Sequence, residues 1–183
     1  MKKLILIVLA AALLLSLTAC GGGSAKQQEA EKPAENSAGM ANPWSDVETP
    51  EAAAEGAGVG YFQVPEGGTE LTGGRVDWAV FRCMNHLAEA IGYVGAAELR
   101  VRKGLKQESE DVSGDYGEYA FEWTQEADGW PVKCFGNEEG KMMKAIWLSD
   151  NFSYSITVRG QGDIQDVYGL GAEDVVALVT AIQ

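Results

Sequence analysis

Residues 142–158 read MMKAIWLSDNFSYSITV, and this stretch decides the fold. In its second half, Phe152, Tyr154, Ile156 and Val158 alternate with Ser153, Ser155 and Thr157. Side chains along a strand point to opposite faces in turn, so a period of two predicts a strand with one buried and one wet face. Residues 142–148 predict a second strand, and Ser149-Asp150-Asn151 supplies the turn between them. Upstream, Asp128-Gly129 signals a hairpin turn ahead of an extended 130–135, while 136–140 is rich in turn residues. The aromatic stretch 119–123 reads as extended. Together these segments predict an antiparallel meander.

Helices flank it. Gly169-Leu170-Gly171 leads into Val175, Val176, Leu178 and Val179, which give a final helix an apolar face, with Glu173 and Asp174 at its positive end. Near the other end, Thr49-Pro50-Glu51 is a helix start: a capping hydroxyl, a proline at the first helical position and an acid in the first turn. Tyr61-Phe62-Gln63-Val64-Pro65 looks extended, and residues 98–102 alternate cleanly as a strand. Residues 78–91 read two ways. Val80, Cys83, Met84, Leu87, Ala88 and Ile91 follow the spacing of a helix face, although 87–93 also reads as a strand. The expected class is α+β: an antiparallel β-meander sheet packed by an N-terminal and a C-terminal helix.

The chain opens with Lys2 and Lys3, then twelve apolar residues from Leu4 to Leu15, then Ser16-Leu17-Thr18-Ala19-Cys20. A basic start, an apolar run and small residues at a cutting point are the parts of an export signal. The run is shorter than the ~20 residues that cross a bilayer comfortably. Leu17-Thr18-Ala19-Cys20 resembles the lipobox of bacterial lipoproteins. That resemblance implies cleavage before Cys20 and lipid on its thiol, hence an extracytoplasmic, membrane-anchored protein. Residues 1–19 are then the signal, 20–41 a lipidated tether and 42–183 one domain. The tether holds mostly Gly, Ala, Glu, Gln and Ser, too little apolar surface to fold, and would span roughly 25 Å.

The domain itself resembles a group of Gram-positive-type lipoproteins carrying a domain of unknown function. The matching pieces are Asn42-Pro43-Trp44-Ser45-Asp46, Val64-Pro65-Glu66-Gly67, Arg102-Lys103-Gly104, Ser113-Gly114-Asp115-Tyr116, Trp147 and Tyr154-Ser155-Ile156-Thr157. The resemblance favours a strand for 87–93. More distantly it implies a curved sheet like that of lipoprotein carriers and envelope-stress regulators.

Charge narrows the partners. The full chain carries a formal −13; without residues 1–19 and their two lysines, 12 basic residues face 27 acidic ones, a balance of −15. Such a surface disfavours nucleic acid and anionic lipid, and favours cationic ligands. With Cys20 committed to lipid, Cys83 and Cys134 remain as an even pair. They form either a disulfide, worth roughly 4 kcal/mol for so long a loop, or two buried thiols. His86, the only histidine, lies three residues after Cys83, which raises a Cys/His nucleophilic pair, but no third orienting group stands nearby. The acidic stretch 108–118 has oxygen ligands without the spacing of an EF-hand and reads as a solvated connection. The five tryptophans read mainly as core. Phosphate loops, GxSxG, HExxH and dinucleotide fingerprints are missing from the sequence, and no metal or cofactor is expected. The expected function is a non-catalytic module binding a protein, peptide or small molecule at the cell envelope. The alternatives are a lipid or lipoprotein carrier with an apolar cleft under the last helix, and a thiol enzyme using Cys83 and His86.

Overall fold

The computed structural model describes residues 42–163 and 167–182. The signal, Cys20 and the tether lie outside the described residues. In chain order the elements are β1 (Ser45–Val47), α1 (Pro50–Ala57), β2 (Thr69–Leu71), β3 (Gly74–Met84), β4 (Leu87–Val94), β5 (Ala97–Leu105), β6 (Phe121–Ala127), β7 (Trp130–Gly136), β8 (Lys144–Leu148), β9 (Phe152–Gly160) and α2 (Ala172–Ala181). Among the described residues these nine strands form one antiparallel sheet. It is ordered β1-β3-β4-β5-β9-β8-β7-β6, with β2 pairing to β3. The fold is α+β, as its alternation predicts.

The expected hairpin is β8–β9, in register from Lys144 opposite Thr157 to Leu148 opposite Ser153. The second expected hairpin is β6–β7, turning at Asp128-Gly129, where both residues have positive φ. Thr49 caps α1 by accepting a hydrogen bond from the Ala52 N–H, with Pro50 at the first helical position. In α2, Val175, Leu178 and Val179 are buried as expected, but Val176 is exposed. Asp174 does more than face the helix dipole. It is buried and accepts from the Thr72 N–H at 2.7 Å and the Thr72 hydroxyl at 2.9 Å, tying α2 to the loop after β2.

The helical spacing of residues 78–91 is overturned. This region is two strands, β3 and β4, joined at Asn85-His86, where His86 has φ 60°. Alternation was erased because Leu87 to Gly92 are all buried, so β4 lies between two covered faces. The outer face carries Glu89, itself fully buried, where a wet residue would have shown the period.

The wet face expected of 152–158 is likewise corrected. Ser153, Ser155 and Thr157 are as buried as Tyr154, Ile156 and Val158 on the other side. The acidic connection after β5, most of whose own residues are exposed as expected, folds back over that face and seats Val112 and Ser113 on it. Ser153 donates to the Ser109 carbonyl at 2.6 Å. Lys144 Nζ donates to the Asp115 carbonyl at 3.1 Å, and Arg102 donates to the carbonyls of Val112 and Ser113. The sheet therefore has an apolar inner face under the helices and a polar outer face under a loop.

On the inner face, α1 packs against β3 and β4, and α2 against β2 and β6. Phe62, Leu99, Met142, Ile156, Leu178, Val132 and Val175 are all fully buried in one cluster. Beneath the C-terminal helix Val175, Leu178 and Val179 are buried in this cluster, while a hollow of about 570 Å³ opens at its first turn, lined by Val94, Val167 and Leu170 among others.

Candidate binding cleft

Strand β3 owes its unusual edge to its partners. β1 covers its outer side at Phe81–Cys83, and β2 pairs with it at Gly74–Val76. Between them, residues 77–80 have no strand partner on that side among the described residues. The strand is also irregular here: the pairing with β4 slips between Trp78 and Val80, so Ala79 is left over as a bulge. Gly92 makes room for the Trp78 ring. A Cβ on Gly92 would lie 2.7 Å from Trp78 Cε3 and 2.6 Å from Val76 Cγ1.

A cleft of about 540 Å³ opens over this gap. Trp78 and Phe81 line its base; residues 48–51 form one wall and 63–68 the other. The second wall is held by its own buried side chains, Phe62 and Val64. Its rim is acidic. Glu51 accepts from Gln63 Nε2 at 3.1 Å. Hydrogen bonds from its own backbone N–H, the Thr49 hydroxyl and the Gln63 amide hold its carboxyl below the ordinary range. Asp77 is engaged with Arg75 at 3.1 Å. Glu48 and Glu66 have no basic partner among the described residues. The Trp78 indole N–H is buried without a hydrogen-bond acceptor.

The residues singled out by chemistry fall elsewhere. Cys83 and Cys134 are both free and buried. They sit on β3 and β7, five strand steps apart along the sheet. The Cys83 thiol packs on α1: a Cβ built on Gly56 would lie 2.5 Å from its sulfur. Burial pushes the Cys134 thiol up to about 12. His86 sits in the β3–β4 turn and lines a separate hollow with Arg102, Asp111 and Tyr116, to which Cys83 does not contribute. No hydrogen bond joins Cys83 to His86 among the described residues, and the nucleophilic pair is not assembled. Two carboxylates of the acidic loop, Asp111 and Asp115, are spent on its own turns and on the sheet. Asp111 accepts from the Ser113 N–H and from Lys144, and Asp115 from the Gly117 N–H, Tyr119 and, at 3.4 Å, Arg159. These contacts outweigh burial and lower both carboxyl groups. Among the described residues no group of three or more His, Cys, Asp or Glu is placed to hold a metal.

Trp78 and Trp123 are half-buried against the core, and Trp44 and Trp130 lie outside it. Trp44 lies against the Arg82 and Arg102 guanidinium groups, 4.5 and 5.2 Å from its ring centroid, Trp78 lines the cleft, and Trp130 is exposed. Trp147 is core, stacked on Tyr154 at 5.0 Å.

The buried charges Glu89, Lys103 and Lys144 escaped the sequence reading. Glu89 is flanked across three neighbouring strands by Arg82 and Arg102 and pairs with both. Lys103 projects into the inner face with no carboxylate partner among the described residues. Its ammonium donates to the Tyr61 carbonyl and lies 4.3 Å from the Phe152 ring centroid and 5.2 Å from that of Tyr154. Burial lowers its pKa from the usual lysine range. The unfolded state therefore holds this proton more tightly than the folded one. Stability should rise with pH as the lysine approaches its unfolded pKa of ~10.4. Urea titrations between about pH 8 and pH 10 should show that rise in the wild type and a flatter profile in Lys103→Met. Equal slopes would mean that Lys103 titrates as it does when unfolded. A strand lysine among apolar neighbours gives one sequence signal, its place on the inward side of the alternation in 98–102.

No protein-family profile, curated protein or solved structure matches the chain.

Proposed function

We propose that this protein is a non-catalytic binding module, held outside the cytoplasm by lipid on Cys20, which captures its ligand in the cleft beside β3. The observation that carries the binding reading is the cleft itself: an aromatic base, polar walls from two separate segments, and a stretch of strand edge left without a partner. Ligand sites combine apolar lining with a few placed polar groups in this way. The burial of Cys83, which has no hydrogen bond to His86 among the described residues, favours binding over thiol catalysis. The address rests on the basic start, the apolar run and Leu17-Thr18-Ala19-Cys20.

The experiment follows the full chain and Cys20→Ser in a bacterial host fed an alkyne-tagged fatty acid. The wild type should take up label and sediment with membranes, and the variant should do neither. An unlabelled wild type would overturn the anchor. For the binding half, hydrogen exchange is compared with and without an envelope extract. Slowed exchange at residues 48–51, 63–68 and 77–81 is the expected result; protection confined to other segments would move the site.

A further inference from the structure

Resting on that cleft as the binding site, we infer that its ligand is a short, extended peptide carrying basic side chains, which adds to the free edge of β3 between β1 and β2. Two observations converge on that chemistry. The first is the gap. Along 77–80 the strand has no partner on one side among the described residues while keeping β4 on the other. Backbone N–H and C=O groups on a strand edge are matched best by another extended backbone, which is how edge strands capture peptides. At ~3.3 Å per residue the gap takes about four residues. It is closed at both ends by β1 and β2, so a longer ordered strand, such as the edge of a second copy, does not fit the gap.

The second observation is charge. Of the ionised groups around the cleft, Arg75 is engaged by Asp77, which leaves the carboxylates of Glu48, Glu51 and Glu66 facing the opening from both walls. Thr49 and Gln63 hold Glu51 ionised. A lysine or arginine leaving the bound backbone on either side meets an acid, and its alkyl stem can lie on the Trp78 and Phe81 rings. A neutral or acidic peptide gains the backbone bonds without the pairing. The overall balance of −13 acts in the same direction, raising the encounter rate for cations.

The test uses the full chain in detergent and three blocked pentapeptides: alternating valine and lysine, the same with glutamate, and the lysine peptide with its backbone N–H groups methylated. Binding is read by tryptophan fluorescence and by hydrogen exchange at residues 77–81. The lysine peptide should bind and slow exchange there, and the other two should not. Glu51→Gln and Glu66→Gln, both exposed, should each weaken it by about two- to fivefold, with the melting temperature unchanged in Glu66→Gln and lowered only slightly in Glu51→Gln, which loses an acid from the first turn of α1. Raised salt should weaken it too. Binding of the glutamate peptide with equal affinity would overturn the charge argument. Binding of the methylated peptide with equal affinity would overturn the edge argument. If no peptide binds while an envelope extract still protects the cleft, the peptide inference falls and the binding module stands. If neither protects it, both fall.

Discussion

Glu89→Gln is expected to destabilise the domain by about 3–5 kcal/mol, the usual cost of removing one partner from a buried ion pair. The side chain of Glu89 is fully buried, and those of Arg82 and Arg102 are 20% and 12% exposed. The carboxylate sits between two guanidinium groups on adjacent strands, in direct register. Neutralising it leaves two like charges on β3 and β5, the strands either side of β4, with no anion between them. Arg102 keeps its bonds to the carbonyls of Val112 and Ser113, but these are dipoles and not counter-charges. Thermal unfolding followed by circular dichroism should show a drop on the order of 10 °C. Replacing all three residues with apolar ones of similar volume should recover most of the loss, since the desolvation cost of the triad disappears with it. A single variant that melts like the wild type would mean that water reaches Glu89 freely.

Phe62→Ala carries the other large effect, again about 3–5 kcal/mol, from lost burial and the cavity left behind. Phe62 is fully buried in a segment that belongs to no strand. Its ring, Val64 and the bond from Lys103 to the Tyr61 carbonyl hold that segment on the inner face. Residues 63–68 form a cleft wall immediately after it. Truncation should therefore speed hydrogen exchange in 63–68 before the sheet is affected, and weaken ligand capture more than the residual stability suggests. Urea denaturation gives the first quantity and exchange gives the second. Uniformly faster exchange across the sheet would show that the wall has no separate anchorage.

The elements most legible in the sequence were those where one feature dominates. The β8–β9 hairpin was readable from the alternation of 152–158, and α1 from Thr49-Pro50-Glu51. Alternation says which residues share a face, but not whether that face is wet. The buried Ser153, Ser155 and Thr157 depend on a loop that begins some fifty residues earlier, and nothing local announces it. Residues 78–91 read two ways for a related reason, and only the helical reading was wrong. When Arg82, Glu89 and Arg102 satisfy one another, a charged position ceases to mark the solvent side, and the remaining apolar positions match a helix by coincidence. β1 and β2 are three residues each, too short for periodicity, so the gap between them was invisible. The cleft is a product of that gap and of a wall without regular structure. Its aromatic and acidic residues were visible in the sequence, but their convergence was not.

The short strand β1 also has a mechanical consequence. A pull on the chain ahead of residue 42 enters the fold through β1. Resistance there comes from three residues of backbone pairing and the Trp44 ring lodged against two guanidinium groups. When the strand axis takes the load, those bonds are sheared together. When they give way, residues 48–51 are next in line, and they form a wall of the cleft. The grip on a ligand would thus be lost under tension well before the nine-stranded body yields, which makes β1 a fuse between traction on the chain and release of whatever the cleft holds.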